Sequence, residues 1–268
     1  MSIEGSITAL VTPMNEKGDL DYNSLEKLIN FQIDSGISGL VAVGTTGESA
    51  TIDFEDHIKL IEFFIKISNG RVHIIAGTGA NSTEEALHLT REAKNLGADA
   101  ALLVSPYYNK PPQEGIYRHH AKIADEVDIP QILYNVPSRT ASFIEPETVK
   151  RLSSHQNIMG IKDATGDMKN LSEVLKLCEE EIQNKNFFLY SGDDFSFLEF
   201  LKGGGHGTIS VTSNVVPEII SEICQLVQSD FSMAKKLDDQ IKNLNQNLFC
   251  ESNPIPVKWA LHQMGLIK

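Results

Sequence analysis

The sequence predicts an α/β fold: a (β/α)8 TIM barrel with additional C-terminal helices. Three observations predict it. The chain has 268 residues, it contains eight short apolar runs that each precede a segment of helical periodicity, and polar residues follow most of these runs. Strict alternation of strands and helices implies a parallel sheet with right-handed crossovers. Eight such units fit a barrel better than the alternative, an open α/β sheet.

Each strand is predicted from a short apolar run that turn residues or a proline bring to an end. The predicted strands are residues 7–12, 39–43, 72–76, 100–104, 130–134, a sixth within 157–166, 187–190 and 208–211. Helices are predicted from apolar residues at helical spacing, as in Leu25, Leu28 and Ile29, with a stop at Gly36. Ser82 followed by Glu85 is a capping-box pattern, and that helix should end at Gly97.

The second half of the chain continues the same alternation. The predicted helices are one that ends near Val127, then 146–152, 171–182, 195–201, 215–227, 233–248 and 256–264. No linker or low-complexity segment separates these units. We therefore predict a catalytic barrel over residues 1–229 and a C-terminal helical appendage over 230–268.

Composition excludes several classes of protein. A net charge of −13 leaves no basic surplus for a nucleic acid, so an anionic substrate needs local cations such as Arg139 and Lys162. Three scattered cysteines show neither metal spacing nor a disulfide framework. There is no run of 18 apolar residues and no basic, apolar leader pattern at the N-terminus. These features predict a cytoplasmic protein without a membrane partner.

The sixth strand carries the most informative residue, Lys162. Alternation places Ile161 and Asp163 with Met159 on one face, and Lys162 with Gly160 and Ile158 on the other. If the first face packs against helices, Lys162 points into the barrel. Burial without a partner lowers the pKa of a lysine amine, and a free amine attacks carbonyl groups to form Schiff bases. The alternative is a structural ion pair with a carboxylate.

Polar groups at the ends of other strands favour the reactive amine, because active sites of such barrels lie at the carboxyl ends of the strands. The residues concerned are Thr12, the Gly44-Thr45-Thr46-Gly47 turn, the Gly77-Thr78-Gly79 turn, Tyr107 and Tyr108, Tyr134 and Arg139, Gly192-Asp193-Asp194, and the Ile209 region.

Several motifs have two interpretations. The Gly44–Gly47 turn could be a capped turn or a cradle for a small carboxylate. Gly77-Thr78-Gly79 is a weak dinucleotide signal, because Ser82 stands where a third glycine belongs. The glycines at 203–207 fit a tight turn before the eighth strand better than a phosphate loop. His119 and His120 are predicted to be solvated on a polar helix face. The tyrosine pair at 107–108 could be amphipathic packing, and Arg139 could be a surface residue or a bidentate holder of a carboxylate.

Together, several motifs resemble the 4-hydroxy-tetrahydrodipicolinate synthase (dihydrodipicolinate synthase) family, from Gly5 to the C-terminus in one register. They are Gly44-Thr45-Thr46-Gly47-Glu48-Ser49, Pro106-Tyr107-Tyr108-Asn109, Tyr134-Asn135-Val136-Pro137-Ser138-Arg139-Thr140, Gly160-Ile161-Lys162-Asp163-Ala164 and Asn253-Pro254-Ile255-Pro256-Val257-Lys258. The wider superfamily includes N-acetylneuraminate lyase. The Thr45-Thr46 pair and Arg139 after Val136-Pro137-Ser138 favour the synthases.

The resemblance implies condensation of pyruvate with L-aspartate 4-semialdehyde in the lysine (diaminopimelate) pathway, without a metal or other cofactor. Lys162 is expected to form the imine and Tyr134 to transfer protons. Thr45 would connect Tyr134 to Tyr108 of a neighbouring subunit, because a phenol with an ordinary pKa near 10 needs a hydrogen-bonded relay. Thr46 is expected to hold the pyruvate carboxylate and Arg139 the semialdehyde carboxylate, while the backbones of Gly192 and Ile209 line the pocket.

The resemblance also implies a homotetramer built as a dimer of dimers, and in many members inhibition by lysine. The corresponding effector residues here are Ser49, Ala50, His57, Asn81, Glu85 and Tyr107. Phe54 departs from the pattern, since lysine-sensitive relatives often carry histidine there. The family usually continues with another helical segment beyond the position of Lys268. The alternatives for function are a pyruvate-dependent aldolase acting on a sugar acid and a non-catalytic barrel that binds keto acids.

Overall fold

The computed structural model describes residues 2–268. Eight parallel strands close into one barrel in chain order, with β8 paired to β1. The strands are β1 (Gly5–Ala9), β2 (Gly39–Ala42), β3 (His73–Gly77), β4 (Ala100–Val104), β5 (Gln131–Asn135), β6 (Ile158–Asp163), β7 (Phe188–Ser191) and β8 (Gly207–Ser210). The predicted barrel is confirmed. The predicted ends are least accurate at β1, where the Val11 N–H donates to the Asn214 side chain instead of to a neighbouring strand.

Helices follow the strands and cover the outside of the barrel. They are α1 (Tyr22–Asp34), α2 (Phe54–Ser68), α3 (Thr83–Leu96), α4 (Gln113–Glu126), α5 (Pro137–Thr140), α6 (Pro146–Ser153), α7 (Met168–Leu177), α8 (Glu179–Gln183), α9 (Phe197–Lys202), α10 (Pro217–Leu226), α11 (Phe231–Asn247) and α12 (Ile255–Gln263). Ser82 caps α3 by accepting from the Glu85 N–H, and α3 ends at Gly97 with φ 92°, as the sequence predicts.

Two helices differ from the prediction. The sequence does not predict α5, which begins at Pro137, a residue whose fixed φ suits the first position of a helix. The single helix predicted over 171–182 is two helices, α7 and α8. The chain turns between them at Cys178, whose φ of −101° and ψ of 20° lie outside the helical region.

The pairing of β5 with β6 contains one irregular step, and this step corrects the predicted alternation in β6. Gln131 pairs with Ile158 but Ile132 pairs with Gly160, so Met159 is an extra residue on β6. Met159 therefore packs inside the barrel, while Ile158 packs outside with Ile161. The predicted faces of Ile158 and Met159 are wrong, because an inserted residue interrupts the two-residue period.

The barrel interior is an apolar cluster to which every strand contributes side chains. Its members include Ile7, Val41, Ile75, Leu102, Ile132, Tyr134, Met159, Tyr190 and Ile209. Further clusters fill the layer between the strands and the surrounding helices. The interior is thus packed below its open end, which confines a substrate to the carboxyl ends of the strands.

The C-terminal helices share cores with the barrel helices. Ala234 and Ile241 of α11 pack in one cluster with Phe197, Ile220 and Ile223 of α9 and α10. Val257 and Leu261 of α12 pack in a cluster that includes α1 residues. The boundary between 229 and 230 stays a prediction. Within residues 2–268, every helix is too short or too polar to cross a bilayer.

Candidate active site

Lys162 lies on β6 with its side chain inside the barrel. It is 5% exposed, and its Nζ lies 4.2 Å from the centre of the Tyr134 ring. The two residues are register partners on β5 and β6, and Lys162 also pairs with Tyr190 on β7. Paired residues of neighbouring parallel strands point to the same face, so Lys162 has an inward-facing tyrosine on each of the two neighbouring strands.

The amine has no carboxylate partner in the part of the chain that the structure describes. Among the side chains of residues 2–268, none forms an ion pair with Lys162 within 4.0 Å. Its neighbour Asp163 faces the opposite side, where it accepts hydrogen bonds from Asn170 at 2.7 Å and from the Thr165 hydroxyl at 3.0 Å. Burial raises the pKa of Asp163 despite these bonds. The alternative interpretation of Lys162 as a structural ion pair is therefore wrong.

The two phenols have different environments. The Tyr190 hydroxyl donates to the Ile3 carbonyl at 2.8 Å, and burial raises the pKa of Tyr190. The Tyr190 hydroxyl proton is therefore used in a hydrogen bond to the backbone at the closed end of the barrel. Tyr134 is the phenol left at the amine, since its ring contacts Lys162 directly.

Gly192 provides the space that the lysine side chain occupies. A Cβ built at Gly192 would lie 2.8 Å from Cε of Lys162 and 3.0 Å from Cγ. Real Cβ atoms essentially never show contacts under 3.0 Å. A larger residue at 192 would have to displace the amine. This places Gly192 beside the predicted nucleophile.

Thr45 and Thr46 lie on the turn that follows β2. Thr12 holds this turn by donating to the Gly47 carbonyl at 2.7 Å. The Thr46 hydroxyl accepts from Nδ2 of Asn253 at 3.0 Å, and the Thr46 side chain is buried. The turn is therefore fixed from both sides, which suits a group that must hold a small anion in one position.

A cavity of about 380 Å³ lies at this end of the barrel. It is lined by Thr45, Glu48, Ser49, Ala50, Thr51, Gly79, Val104, Tyr107, Val136, Arg139, Thr140, Asn253 and Pro254. Three larger cavities, of about 670, 490 and 460 Å³, have no predicted catalytic or substrate-binding residue in their lining. The structure thus brings Thr45 and Arg139 to one cavity at the mouth, and places Lys162, Tyr134, Gly192 and Ile209 inside the barrel.

Tyr108 does not join these residues within one chain. Its side chain is 90% exposed, and its φ of 73° is in the left-handed region, which is uncommon for a bulky residue. It lies in the loop between β4 and α4, beside the half-buried Tyr107.

The predicted effector residues are only partly assembled. Ser49, Ala50 and Tyr107 line the cavity, and Asn81 donates to the Tyr107 carbonyl at 3.3 Å. Glu85 lies near enough to contribute to the raised pKa of Tyr107, although burial contributes more. His57 turns inward and contacts the Gly77 carbonyl at 2.7 Å, and burial lowers its pKa. Phe54 packs against His88 with 4.6 Å between ring centres.

The prediction for His119 and His120 is wrong. Both are buried, and their rings meet edge to face at 5.0 Å. Burial lowers the pKa of His119 to about 4 and that of His120 well below its ordinary value. The spacing contained the signal, because both residues lie three or four positions from Ile116 and Ile123 on the buried face of α4.

Two residues that the sequence motifs contain, but to which they assign no role, support the site. Asp194 is buried, and its Oδ2 accepts from the backbone N–H groups of Val211 and Thr212, both at 2.9 Å, so it holds the end of β8 next to Ile209. Asn253 contacts both Thr46 and Arg139. Among residues 2–268, no group of three or more His, Cys, Asp or Glu side chains is arranged to hold a metal ion.

A closed parallel barrel with a buried, unpaired lysine beside a phenol is the arrangement of enzymes that activate keto acids as Schiff bases. The sequence profile of the dihydrodipicolinate synthetase family matches residues 2–268. The chain belongs to this family.

Known proteins match this sequence over almost its whole length. The 4-hydroxy-tetrahydrodipicolinate synthases of Alcanivorax borkumensis and Pseudomonas aeruginosa are 53% and 54% identical over 266 residues, which is 99% of this chain and 89% of each relative. The chloride-inhibited dihydrodipicolinate synthase of Acinetobacter baumannii, solved with pyruvate, superposes with a TM-score of 0.96 at 51% identity. That match covers 100% of this chain and 90% of the other.

Proposed function

We propose that this chain is a cytoplasmic lyase that condenses pyruvate with L-aspartate 4-semialdehyde, giving 4-hydroxy-tetrahydrodipicolinate for lysine and diaminopimelate biosynthesis. The observation that carries the proposal is the burial of Lys162 without a carboxylate partner, next to Tyr134. The Acinetobacter enzyme, which was solved with pyruvate, supports the keto acid as substrate.

The chemistry follows from the amine. The Lys162 amine adds to the keto carbon of pyruvate, and loss of water gives an imine. Loss of a methyl proton converts the imine to an enamine, whose carbon attacks the aldehyde and forms the new carbon–carbon bond. The aldehyde oxygen takes up a proton, and the ring closes when the amino group of the second substrate displaces Lys162. These steps use no metal and no cofactor.

The remaining residues provide protons and binding contacts. Tyr134 transfers protons at the imine and at the aldehyde oxygen, and Thr45 connects it to Tyr108. Thr46 holds the pyruvate carboxylate, and Arg139 binds the semialdehyde carboxylate at the mouth of the cavity. Gly192 and Ile209 line the pocket beside the lysine.

Tyr108 acts from a neighbouring subunit of a homotetramer that is a dimer of dimers. Its 90% exposure and left-handed backbone support this assignment, because an aromatic side chain held in a strained, solvent-facing position is explained by a partner that covers it.

Lysine binding at Ser49, Ala50, His57, Asn81, Glu85 and Tyr107 stays a prediction. Phe54 offers no hydrogen bond to a lysine ligand, and its ring already packs on His88. Calorimetric titration with L-lysine tests the site, and Phe54→His should increase the affinity if the predicted residues form it.

The decisive test is reduction with borohydride in the presence of pyruvate, followed by peptide mass analysis. We expect one reduced pyruvate adduct, on Lys162, and none in Lys162→Met. Lys150→Met is the matched control, since Lys150 is a half-exposed lysine paired with Glu181. An adduct on another lysine, or none in the parent protein, contradicts the proposal.

A further inference from the structure

Asn253, which precedes α12, and Lys258 in its second turn contact the active site at three points. Nδ2 of Asn253 donates to the Thr46 hydroxyl at 3.0 Å. The Arg139 guanidinium donates to the Asn253 carbonyl at 2.9 Å. Nζ of Lys258 pairs with Glu48 at 2.6 Å. The three partners lie on the chain segments after β2 and β5, so the C-terminal segment joins two walls of the cavity.

The contact with Thr46 determines the direction of a hydroxyl proton. An amide NH2 group only donates, so Oγ1 of Thr46 is the acceptor in this bond. The proton on Oγ1 must then point away from Asn253. Because the Thr46 oxygen already accepts a hydrogen bond from Asn253, its own proton can be donated to a carboxylate, which only accepts.

The amide oxygen of Asn253 lowers the stability of the fold. Oδ1 is buried and has no hydrogen-bond partner in the part of the chain that the structure describes. Leaving a buried acceptor unpaired is costly, so such groups call for another explanation. The orientation of Thr46 supplies one.

The backbone of the same residue acts on Arg139. The Arg139 side chain is exposed, and a free guanidinium has many rotamers. The bond to the Asn253 carbonyl restricts them and holds the guanidinium at the cavity that both residues line. The Lys258–Glu48 ion pair, about three-quarters buried on both sides, fixes the segment against the turn after β2.

We propose that Asn253 is a positioning residue for substrate binding: its side chain directs the Thr46 hydroxyl toward the pyruvate carboxylate, and its carbonyl directs Arg139 toward the carboxylate of the second substrate. The inference rests on the proposed function, because it takes the roles of Thr46 and Arg139 from it. It adds a residue more than 200 positions from Thr46 in the chain.

The test compares Asn253→Ala and Asn253→Asp by the pyruvate concentration that gives half-maximal trapping on Lys162. Asn253→Ala should raise this concentration about tenfold, the effect of one lost hydrogen bond to a charged group. Asn253→Asp should raise it further, although it has the same shape. A carboxylate accepts the Thr46 proton and places a negative charge beside the substrate. A purely structural role predicts the reverse order.

A double-mutant cycle shows whether the effect passes through Thr46. In a Thr46→Val background, Asn253→Ala should change pyruvate trapping by less than twofold. Lys268→Met is the matched control, since it breaks the C-terminal ion pair with Asp21, and should leave trapping unchanged. Melting temperatures show whether each variant is folded. If Asn253→Ala is not folded, Asn253→Asp still tests the proposal.

The outcomes separate the two proposals. If the parent protein traps no pyruvate, the proposed function fails. If the parent traps pyruvate but Asn253→Asp binds it like the parent, or Asn253→Ala has the same effect with and without Thr46, only the role of Asn253 is overturned.

Discussion

Lys162 and its nearest neighbours show what a single residue contributes to this site. The sequence places Lys162 inside the barrel correctly, because the residues from Gly160 to Asp163 follow the strand period. It also places Gly192 at the end of β7. It does not predict that Gly192 contacts Lys162, or that Asn253 contacts Thr46, because those distances depend on elements far apart in the chain.

Adding one methyl group at Gly192 should disable the amine. We expect Gly192→Ala to reduce pyruvate trapping on Lys162 and kcat/KM by about 100-fold, since its Cβ would lie 2.8 Å from Cε of Lys162 and a shift of about 1 Å can cost that factor. Gly115→Ala adds the same group to the first turn of α4, away from the lysine, and serves as the control. Full trapping in Gly192→Ala would mean that the amine reacts from another position.

Arg139 determines the choice of the second substrate. We expect Arg139→Ala to lower kcat/KM for aspartate semialdehyde by about 10- to 100-fold, the effect of a lost charge-assisted hydrogen bond, while pyruvate trapping stays normal. Arg118→Ala, which removes an exposed arginine paired with Glu114, is the control. Unchanged kinetics with the semialdehyde would indicate a different aldehyde, such as that of a sugar acid.

At the scale of one element, α4 shows why the polarity of a side chain alone does not predict whether it is exposed. The polarity of histidine predicts an exposed face for His119 and His120, whereas their spacing from Ile116 and Ile123 puts them on the buried face. Both ring nitrogens of His120 lack a hydrogen-bond partner in residues 2–268, and His119 keeps one contact, to Thr83 at 2.8 Å. Protonation of either ring is therefore opposed by burial.

These histidines should make the protein less stable in acid. The pKa of His119 is about 4 in the folded protein and 6.5 in the unfolded chain, so the unfolded state binds more protons between these values. Its contribution to stability is complete above about pH 6.5 and declines as the pH falls toward 4, by about 3 kcal/mol in all. Denaturant unfolding at pH 7.5 and pH 5 measures the loss.

Replacing His120 separates this effect from general acid unfolding. His120→Phe should reduce the loss of stability between pH 7.5 and pH 5, because phenylalanine fills the site and takes up no proton. His262→Phe removes an exposed histidine and is the control. An unchanged loss in His120→Phe would assign the acid sensitivity to other groups.

At the scale of the whole molecule, the barrel is the most predictable feature. Eight apolar runs with turn residues after them define eight strand–helix units. Pro13 marks the end of a predicted strand, and Gly36 and Gly97 mark the ends of predicted helices. The contacts of the C-terminal helices are not predictable in this way. The approach of Asn253 to Thr46, and of Lys258 to Glu48, depends on how α11 and α12 pack on the finished barrel.

Complementation between inactive variants tests the contribution of Tyr108 from another subunit. Co-expressed Tyr108→Phe and Lys162→Met chains should regain about one quarter of the parent activity. Half of the randomly paired dimers are then mixed, and each mixed dimer has one intact site. The matched control is the pair Thr45→Val and Lys162→Met, whose changed residues belong to the same site and should not complement. Equal results for both pairs would place Tyr108 within its own chain.

The extra residue at Met159 has a consequence for how the length of the chain can vary. It divides β6 into two parts that should differ in how well they tolerate an inserted or deleted residue. Upstream of it, toward the loop after α6, a gained or lost residue can be absorbed by the irregularity already present. Downstream, between Gly160 and Lys162, a change of one residue would turn the amine out toward α7 and bring Asp163 inside. We therefore expect natural length variation before this point and a fixed spacing after it.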